Sequence, residues 1–328
     1  MRLTSALLAA GIALAPIPAA AQAQGALFVA NKTEDSVSRI RLADGREEKR
    51  QPVCNAPHEL ALSPDGAHVV VACYAGSALQ ILRSDDLEKI AELAFGHDAK
   101  PHGVIWHENG NIYATLEQRQ AILVMRDPLS GEPANTQIPS EAQGTHMIAV
   151  SPDARHAWST DMQSGSVTRY DLVKERKARA VQLGKEPEGL ALSPDGKTLW
   201  VALRGEDRLL ALDPQTLAVR RSIATGRFPI RVAVSPDGAH VVTSNLRDGA
   251  LTVLDTREGG ETREIRVSSS EETGQVTLLF GDDPNLLYVA ETQLSKIAEV
   301  DLETGEVLGR LAGGVGGDGL AIAPAGGE

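Results

Sequence analysis

The chain has 328 residues, of which 42% are hydrophobic and 23% charged, and it holds only 2 cysteines. This composition excludes a disordered chain, which would be poorer in apolar residues, and it excludes a disulfide-stapled scaffold. Asp and Glu number 44 against 32 Lys and Arg, for a net charge of −12. An acidic chain argues against a nucleic-acid partner, because phosphate binding needs a basic surface.

Residues 1–23 have the pattern of a secretory signal peptide. Arg2 gives a positive start, and an apolar stretch runs from Ala6 to Ala15. Ala21 and Ala23 are the small residues expected before a cleavage site. An uncleaved anchor is the alternative, but the stretch is too short to span a bilayer, and no later run approaches about 18 apolar residues. We therefore expect a periplasmic or secreted protein with no membrane span, whose mature chain covers residues 24–328.

The two cysteines, Cys54 and Cys73, lie close together in the chain. In an oxidising compartment a pair of cysteines favours a disulfide, and the short intervening segment makes a bridge sterically feasible. Two alternatives stay open at this point, namely buried reduced thiols and a metal-ligating thiolate. Cys54 stands four residues before His58, which places it near the candidate site described below.

One sequence unit recurs along the mature chain. An apolar segment followed by Ser-Pro-Asp and a small residue occupies 60–66, 148–154, 190–196 and 232–238, with weaker copies at 104–110, 278–284 and 320–324. The final turn residue falls at 66, 110, 154, 196, 238 and 284, a spacing of 42 to 46 residues. A fixed period of this length indicates a solenoid or a propeller.

Each repeat reads as four short β-strands. The apolar segments are short, rich in β-branched and aromatic residues, and bounded by turn residues, while Asp-Gly and Asn-Gly suit tight hairpins. Seven such units predict an all-β, seven-bladed β-propeller with four-stranded antiparallel blades. The chain begins at a second strand, at Leu27, and ends at a first strand, at Leu320. The C-terminal strand is therefore expected to join the N-terminal blade and close the ring, whereas an open solenoid would leave two exposed edges.

The repeat resembles a known family at this level of detail. Three features are similar to the YVTN-type, YncE-like β-propeller repeat of bacterial secreted proteins, namely Ser-Pro-Asp-Gly, an aromatic-Val-Ala strand such as 199–202, and a strand ending in Asp such as 210–213. The resemblance covers essentially all of residues 25–324. It implies the propeller fold but no single activity, since the family mixes binding proteins with relatives of lactonases.

Function is sought where the repeats differ from one another. The residue seven positions before each turn Asp or Asn opens an innermost strand, and in blade order these residues are His58, His102, His146, Glu188, Ile230, Val276 and Asp318. Ring closure makes Asp318 a neighbour of His58. The sequence thus predicts an unbroken arc of metal-binding side chains around one mouth of the channel, suited to Zn²⁺ or Cu²⁺.

Hairpin geometry suggests supporting residues for this arc. Counting outward from each predicted turn gives the residues that face each other on the first and second strands of a blade. The predicted pairs are His58 with Cys73, His102 with Glu117, and His146 with Asp161. A carboxylate beside a metal-bound imidazole fixes the orientation of the ring and raises its basicity. Glu117 and Asp161 are therefore predicted to support His102 and His146.

Recurrence of histidine has a simpler explanation, because duplicated repeats inherit residues. His68, His156 and His240 also share a column and are interpreted as solvated repeat chemistry. The His58 column differs in being contiguous and flanked by acids, although a hydrogen-bonded polar ring without metal remains an alternative. Arg231 follows Ile230 and is interpreted either as an exposed strand arginine or as a contact for an anionic ligand.

Three functions remain open from the sequence. The first is a periplasmic propeller that binds a divalent transition metal, Zn or Cu, at one channel mouth. The second is a metal-assisted hydrolase or lyase of lactone-like substrates, with Glu188 as the catalytic base. The third is a scaffold without metal that binds a protein partner through its blade surfaces. A metal ion or small molecule at the channel mouth is the predicted ligand in the first two.

Overall fold

The computed structural model of the protein describes residues 25–257, 260–268 and 273–323. The predicted signal peptide lies outside these residues. Within them the chain forms seven four-stranded antiparallel sheets, arranged as the blades of a β-propeller. Short 3₁₀ turns occur at Glu117–Arg119 and Thr292–Leu294. The predicted fold class is confirmed.

The strands follow one another in chain order, and blades one to three are built from consecutive sets of four. Blade one contains β4 (Pro57–Leu62), β5 (His68–Cys73), β6 (Ala78–Arg83) and β7 (Lys89–Ala94). Blade two contains β8 (Pro101–Trp106), β9 (Ile112–Leu116), β10 (Ala121–Arg126) and β11 (Ala134–Pro139). Blade three contains β12 (Thr145–Val150), β13 (His156–Asp161), β14 (Ser166–Asp171) and β15 (Arg176–Gln182).

The remaining blades repeat this order until the chain closes on itself. Blade four contains β16 (Pro187–Leu192), β17 (Leu199–Leu203), β18 (Arg208–Leu212) and β19 (Val219–Ala224). Blade five contains β20 (Pro229–Val234), β21 (His240–Asn245), β22 (Ala250–Asp255) and β23 (Thr262–Arg266). Blade six contains β24 (Gln275–Phe280), β25 (Leu286–Glu291), β26 (Lys296–Asp301) and β27 (Val307–Ala312). Blade seven combines β28 (Gly317–Ala323) with β1 (Ala26–Asn31), β2 (Ser36–Arg41) and β3 (Arg46–Pro52).

Ring closure occurs by strand pairing, as predicted. β28 pairs antiparallel with β1, so that Leu27 faces Ile322 and Val29 faces Leu320. The last strand thereby becomes the innermost strand of the blade that the first strand begins. Every backbone edge that an open repeat would leave at its ends is covered by this pairing.

The Ser-Pro-Asp-Gly segments form the hairpins between the first and second strands. In blade one the Asp65 carboxylate accepts hydrogen bonds from the Ser63 hydroxyl, at 2.5 Å, and from the Ala67 N–H, at 3.0 Å. Gly66 then adopts a φ of +69°, which glycine reaches without steric cost. The same Ser–Asp contact recurs at 2.6 Å in blades three, four and five, so the repeated motif encodes a repeated turn.

Apolar side chains of neighbouring blades fill the space between the sheets. One cluster joins Val70 and Ala72 of blade one to Val104, Trp106 and Leu116 of blade two, and all five are buried. Burying an apolar side chain of this size contributes about 1.5–3 kcal/mol. The blades therefore hold one another in place, which fixes the ring of innermost strands around the channel.

Candidate metal centre

The residues predicted to ring the channel all occupy the same place in the fold. Each is the second residue of an innermost strand, and the seven are His58, His102, His146, Glu188, Ile230, Val276 and Asp318. Innermost strands are edge strands, and proline opens four of them at Pro57, Pro101, Pro187 and Pro229. Six of the seven ring residues are buried, the exception being Val276.

The polar members of this ring touch in the predicted order. Asp318 Oδ2 lies 3.1 Å from His58 Nδ1. The His58 and His102 rings have centroids 4.0 Å apart, and the His102 and His146 rings 3.6 Å. His146 Nε2 lies 3.5 Å from Glu188 Oε1. The structure therefore brings the five predicted side chains into one continuous arc across blades seven, one, two, three and four.

Glycines allow this close approach. A Cβ at Gly319 would lie 2.4 Å from the His58 carbonyl oxygen, and one at Gly103 would lie 3.0 Å from the carbonyl oxygen of His146. Contacts this short are not available to a larger residue. Neighbouring innermost strands can therefore pack closely enough for the histidine rings to contact one another.

The predicted cross-strand partners of the histidines are wrong by one residue. Cys73 faces Pro57 rather than His58, and Asp161 faces Thr145 rather than His146. In blade two Pro101 faces Leu116, and Glu117 lies in the 3₁₀ turn beyond β9. Each innermost strand carries a β-bulge in its first residues, and the extra residue shifts the register that simple hairpin counting assumes.

Glu117 nevertheless contacts the arc, although not at the predicted histidine. Its Oε2 accepts a hydrogen bond of 3.2 Å from His146 Nδ1 rather than from His102. Asp161 instead accepts hydroxyl hydrogen bonds within blade three from Ser159, Ser166, Thr168 and Thr145, at 2.7 to 3.3 Å. Asp161 is therefore a structural carboxylate of the blade and takes no part in the arc.

A second ring lies at the same mouth and was not predicted. It consists of the first residue after the second strand of each blade, namely Lys32, Tyr74, Glu117, Met162, Arg204, Leu246 and Thr292. In every blade the backbone N–H of this residue donates to the carbonyl of the residue preceding the innermost strand, at 2.8 to 3.1 Å. That repeated bond places the second ring against the first.

Besides Glu117, two side chains of the second ring carry charge to the arc. Lys32 Nζ donates to His58 Nε2 at 2.8 Å and to Asp318 Oδ2 at 3.4 Å. Arg204 donates to Glu188 Oε2 at 2.5 Å, on the side of Glu188 away from His146. In the sequence these residues share one position, the first after the second strand of each blade. That position can be recognised only when the ends of the strands and their register are known.

Glu59 and Arg231 form an ion pair across the channel. Arg231 donates to Glu59 Oε1 at 2.7 Å and to Glu188 Oε1 at 3.3 Å, and its side chain is 6% exposed. Blades one and five lie on opposite sides of the ring, so this contact spans the channel. The interpretation of Arg231 as an exposed strand residue is therefore wrong. Glu59 and Arg231 are the third residues of their innermost strands. They are the only charged residues at this position in the seven described innermost strands, and the sequence analysis did not use this signal.

Burial sets the protonation of the three histidines. Burial lowers the pKa of His58 to about 3, although Asp318 raises it, and burial lowers the pKa of His102 well below its ordinary value. Burial also disfavours the charged form of His146, but Glu117 and Glu188 outweigh it and raise the pKa. His58 and His102 are therefore neutral at pH 7 and able to ligate a metal, whereas His146 is held between two carboxylates.

Neighbouring charged residues also determine the protonation of Glu188. Burial alone would raise its pKa, but His146, Arg231 and Arg204 together lower it to about 2. A carboxylate with such a low pKa is a weak proton acceptor near neutral pH. This environment suits an ion-pair partner better than the general base suggested by the sequence.

The side chains that best fit a metal ion are His58, Glu59 and His102. Each offers one ligand atom, and the three atoms lie within 4.8 Å of one another. Among the described residues, buried atoms without a hydrogen-bond partner include His102 Nδ1 and Asp318 Oδ1. Buried polar atoms are rarely left in this state, so these two atoms are free to bind a water or a ligand. Two neutral imidazoles and a carboxylate form a donor set typical of Zn²⁺ or Cu²⁺.

A disulfide joins Cys54 to Cys73 beside this cluster. It ties the loop before β4 to the end of β5, immediately before Tyr74. The ring of Tyr74 packs edge-on against His58, with centroids 5.5 Å apart, and against His102 at 5.9 Å. The bridge therefore supports two walls of the site, and Cys54 is not a thiolate ligand.

Asp161 provides a stability prediction that is independent of the site. Burial raises its pKa from 3.8 to about 6, although the hydroxyl hydrogen bonds lower it. A carboxyl with a raised pKa binds its proton more tightly in the folded state than in the unfolded state. Ionised Asp161 therefore destabilises the folded protein increasingly as the pH rises from 3.8 to about 6, and fully above that range. We expect Asp161→Asn to stabilise the protein by about 1–3 kcal/mol at pH 8, and by much less at pH 4. Denaturant unfolding at the two pH values measures this difference.

The fold itself supports this substitution. Asn31 occupies the equivalent position in blade seven and donates to Ser36 and Ser38 at 3.0 and 2.8 Å. Asp195→Asn is the matched control, because hydrogen bonds from Ser193 and Lys197 lower the pKa of Asp195. The control should show no gain at pH 8. An equal gain in both variants would contradict the assignment to burial of Asp161.

The fold and the site together define a seven-bladed β-propeller with a buried histidine–carboxylate cluster at one mouth of its channel. No protein-family model matches the sequence, and no curated protein matches it. Among the described residues, the structure contains no helix with the length and apolar character needed to cross a membrane.

Solved structures share the fold at low sequence identity. A functionally unknown protein from Desulfotomaculum acetoxidans superposes with a TM-score of 0.74 and 15% identity, over 92% of this chain and 99% of the other. Kuenenia stuttgartiensis hydrazine synthase gives 0.71 and 16%, over 79% and 87%. A streptogramin B lyase gives 0.66 and 15%, over 78% and 82%. At these identities the likeness establishes the propeller fold alone.

Proposed function

We propose that this protein is an exported, YVTN-like β-propeller that binds a divalent transition metal at one mouth of its channel, through His58, Glu59 and His102. The observation that carries the proposal is the convergence of these three side chains within 4.8 Å in a buried place. Zn²⁺ and Cu²⁺ are the ions that suit imidazole and carboxylate ligands together.

The electrostatics of the cluster support a metal ion over a hydrogen-bonded polar ring. Hydrogen bonds within the ring leave buried polar atoms over, because His102 Nδ1 and Asp318 Oδ1 have no hydrogen-bond partner among the described residues. Metal binding requires neutral imidazoles, and burial lowers the pKa of both rings so that each has one unprotonated nitrogen at pH 7.

The remaining members of the arc have supporting roles in this proposal. Arg231 holds one carboxylate oxygen of Glu59 and thereby orients that side chain. Asp318 lies against His58, and the His146 ring packs at a tilt against the His102 ring. Such partners of metal ligands fix ligand orientation and typically change affinity by about 10–100-fold when removed. The sequence-based ligand set is thus narrowed to His58 and His102, with Glu59 added.

The proposed exported location rests on the signal-peptide pattern of residues 1–23 and on the Cys54–Cys73 disulfide. Structural disulfides persist in oxidising compartments such as the periplasm. The YVTN-like assignment rests on the repeated Ser-Pro-Asp-Gly turns. Neither assignment depends on whether the bound metal serves transport, storage or catalysis.

Elemental analysis of untagged mature protein tests the metal site. After incubation with Zn²⁺ or Cu²⁺ and removal of free ion, we expect about one ion per chain in the wild type. His102→Ala and Glu59→Gln should weaken binding by at least about 100-fold, because both remove a ligand rather than a supporting partner. The readout is metal content together with competition against a chromophoric chelator.

His240→Ala is the matched control for these variants. His240 is a partly buried histidine at the start of β21, remote from the cluster in the chain and from the start of any innermost strand. Its replacement should leave metal content unchanged. Absence of stoichiometric metal from the wild type, or equal loss in the His240 and His102 variants, would refute the proposed site.

A further inference from the structure

Lys32 places a positive charge at the edge of the candidate metal centre. Its Nζ lies 2.8 Å from His58 Nε2 and 3.4 Å from Asp318 Oδ2, and it has no other hydrogen-bond partner among the described residues. The ammonium group thus contacts one proposed ligand and the carboxylate beside it. Both contacts are ones that a metal cation would also seek.

We propose that Lys32 is an internal competitor for the metal, occupying the cation position beside His58 and Asp318 until a bound metal ion displaces it. This inference rests on the proposed function, since it concerns the same site. A neutral imidazole has one acceptor nitrogen, and in His58 the Lys32 ammonium occupies Nε2. An ion bound at Nε2 takes that lone pair directly, and an ion bound at Nδ1 places the ring proton on Nε2, which then cannot accept from the ammonium. The two positive charges also repel each other in a buried site.

Lys32 is the cation of the mouth best able to leave. Its side chain is 41% exposed, whereas the side chains of Arg231 and Arg204 are 6% and 23% exposed. Arg231 is held by Glu59 and Glu188, and Arg204 by Glu188 and Glu186. The Lys32 side chain can turn into solvent while its backbone N–H stays bonded to the Gly316 carbonyl. Displacement therefore requires no change in the blades.

The consequence is a threshold for binding. A cation enters only when its interaction with His58, Glu59 and His102 exceeds the interaction lost by the ammonium. Ions that bind nitrogen ligands weakly, such as Mg²⁺, would leave Lys32 in place, whereas Zn²⁺ or Cu²⁺ would displace it. Lys32 would thereby help to determine which metals occupy the site at a given concentration.

A first experiment compares the Zn²⁺ affinity of wild type and Lys32→Met by chelator competition. Removing the competitor should tighten binding by about tenfold or more. Lys100→Met is the matched control, because Lys100 lies at the same mouth with its Nζ 5.5 Å from the Tyr74 ring centre, and within the described part of the chain it forms no hydrogen bond with His58. Its replacement should change the affinity by less than about threefold. Equal tightening in both variants would overturn displacement in favour of a general charge effect.

A second experiment measures the accessibility of the ammonium directly. The wild-type protein is treated briefly with an amine-reactive reagent, with and without Zn²⁺, and labelling is read residue by residue by mass spectrometry. Lys32 should react several-fold faster when Zn²⁺ is bound, while Lys100 should not change. Mg²⁺ in place of Zn²⁺ should leave Lys32 labelling at the metal-free level.

The outcomes separate this inference from the proposed function. If wild type binds Zn²⁺ but Lys32→Met binds no more tightly and Lys32 labelling is unchanged, displacement is overturned and the metal site stands. If neither wild type nor Lys32→Met binds Zn²⁺ or Cu²⁺, both are overturned. If wild type binds weakly and Lys32→Met binds tightly through His102, both are supported.

Discussion

Replacing Arg231 with methionine should lower the free energy of unfolding by about 3–5 kcal/mol, the largest effect expected of any single change at the channel. Arg231 is buried and is bonded to Glu59 at 2.7 Å and Glu188 at 3.3 Å. Glu188 keeps Arg204 and His146 as partners in the variant. Glu59 loses its ion-pair partner and remains a buried carboxylate, which is the costly situation. Denaturant unfolding at neutral pH measures the loss.

A double variant tests this explanation. Glu59→Gln removes the charge that Arg231→Met leaves unpaired, so the double variant should recover at least about 1–2 kcal/mol of the loss. The interaction energy from the complete cycle measures the coupling of this pair, because each change removes the charge of one partner at the same contact. Additive losses, or wild-type stability of Arg231→Met, would contradict a stabilising bond across the channel.

Removing the Cys54–Cys73 disulfide is the second large effect. The bridge closes a segment with a sequence separation of 19 residues. A loop of this length corresponds to about 3 kcal/mol of stabilisation through restriction of the unfolded chain. We therefore expect the Cys54→Ala, Cys73→Ala double variant to unfold at lower denaturant concentration than the oxidised wild type by this amount.

Reduction of the wild type provides the control for this prediction. With a reductant present, the wild type should approach the stability of the double variant, and the variant itself should not respond. The double variant should also bind Zn²⁺ more weakly, because the bridge fixes the loop before His58 and the strand end before Tyr74. Equal stability of the oxidised wild type and the variant would show that the bridge does not constrain the unfolded chain.

The number of blades, their turns and the ring closure follow from the sequence. A spacing of 42 to 46 residues between Ser-Pro-Asp-Gly-like turns defines the repeat, and the phase of the chain ends predicts that β28 pairs with β1. These features are local or periodic, so each copy of the unit supports the interpretation of the others. The same periodicity correctly placed His58, His102 and His146 in one column.

The register near the channel was not predictable in this way. A β-bulge adds one residue to an innermost strand, and it has no clear signal in the residues that form it. The shift moves Glu117 from the predicted His102 to His146, and it leaves Asp161 with hydroxyl partners inside its own blade. Hairpin counting therefore assigned the wrong carboxylate to both histidines, although Glu117 does contact the neighbouring His146.

By itself, the sequence determined a seven-bladed ring with histidines and acids around one mouth, because the spacing of strands and the type of turn depend on residues that are close together in the chain. Only the tertiary structure decided which of these side chains act together. Glu59 and Arg231 are separated by 172 positions in the chain, and Lys32 reaches Asp318 across the closure of the ring. Such contacts depend on the curvature of the whole ring and on where each strand begins. The physical reason is that a repeat determines the structure of each blade locally, whereas the channel site forms from side chains of different blades that meet only when the ring is closed.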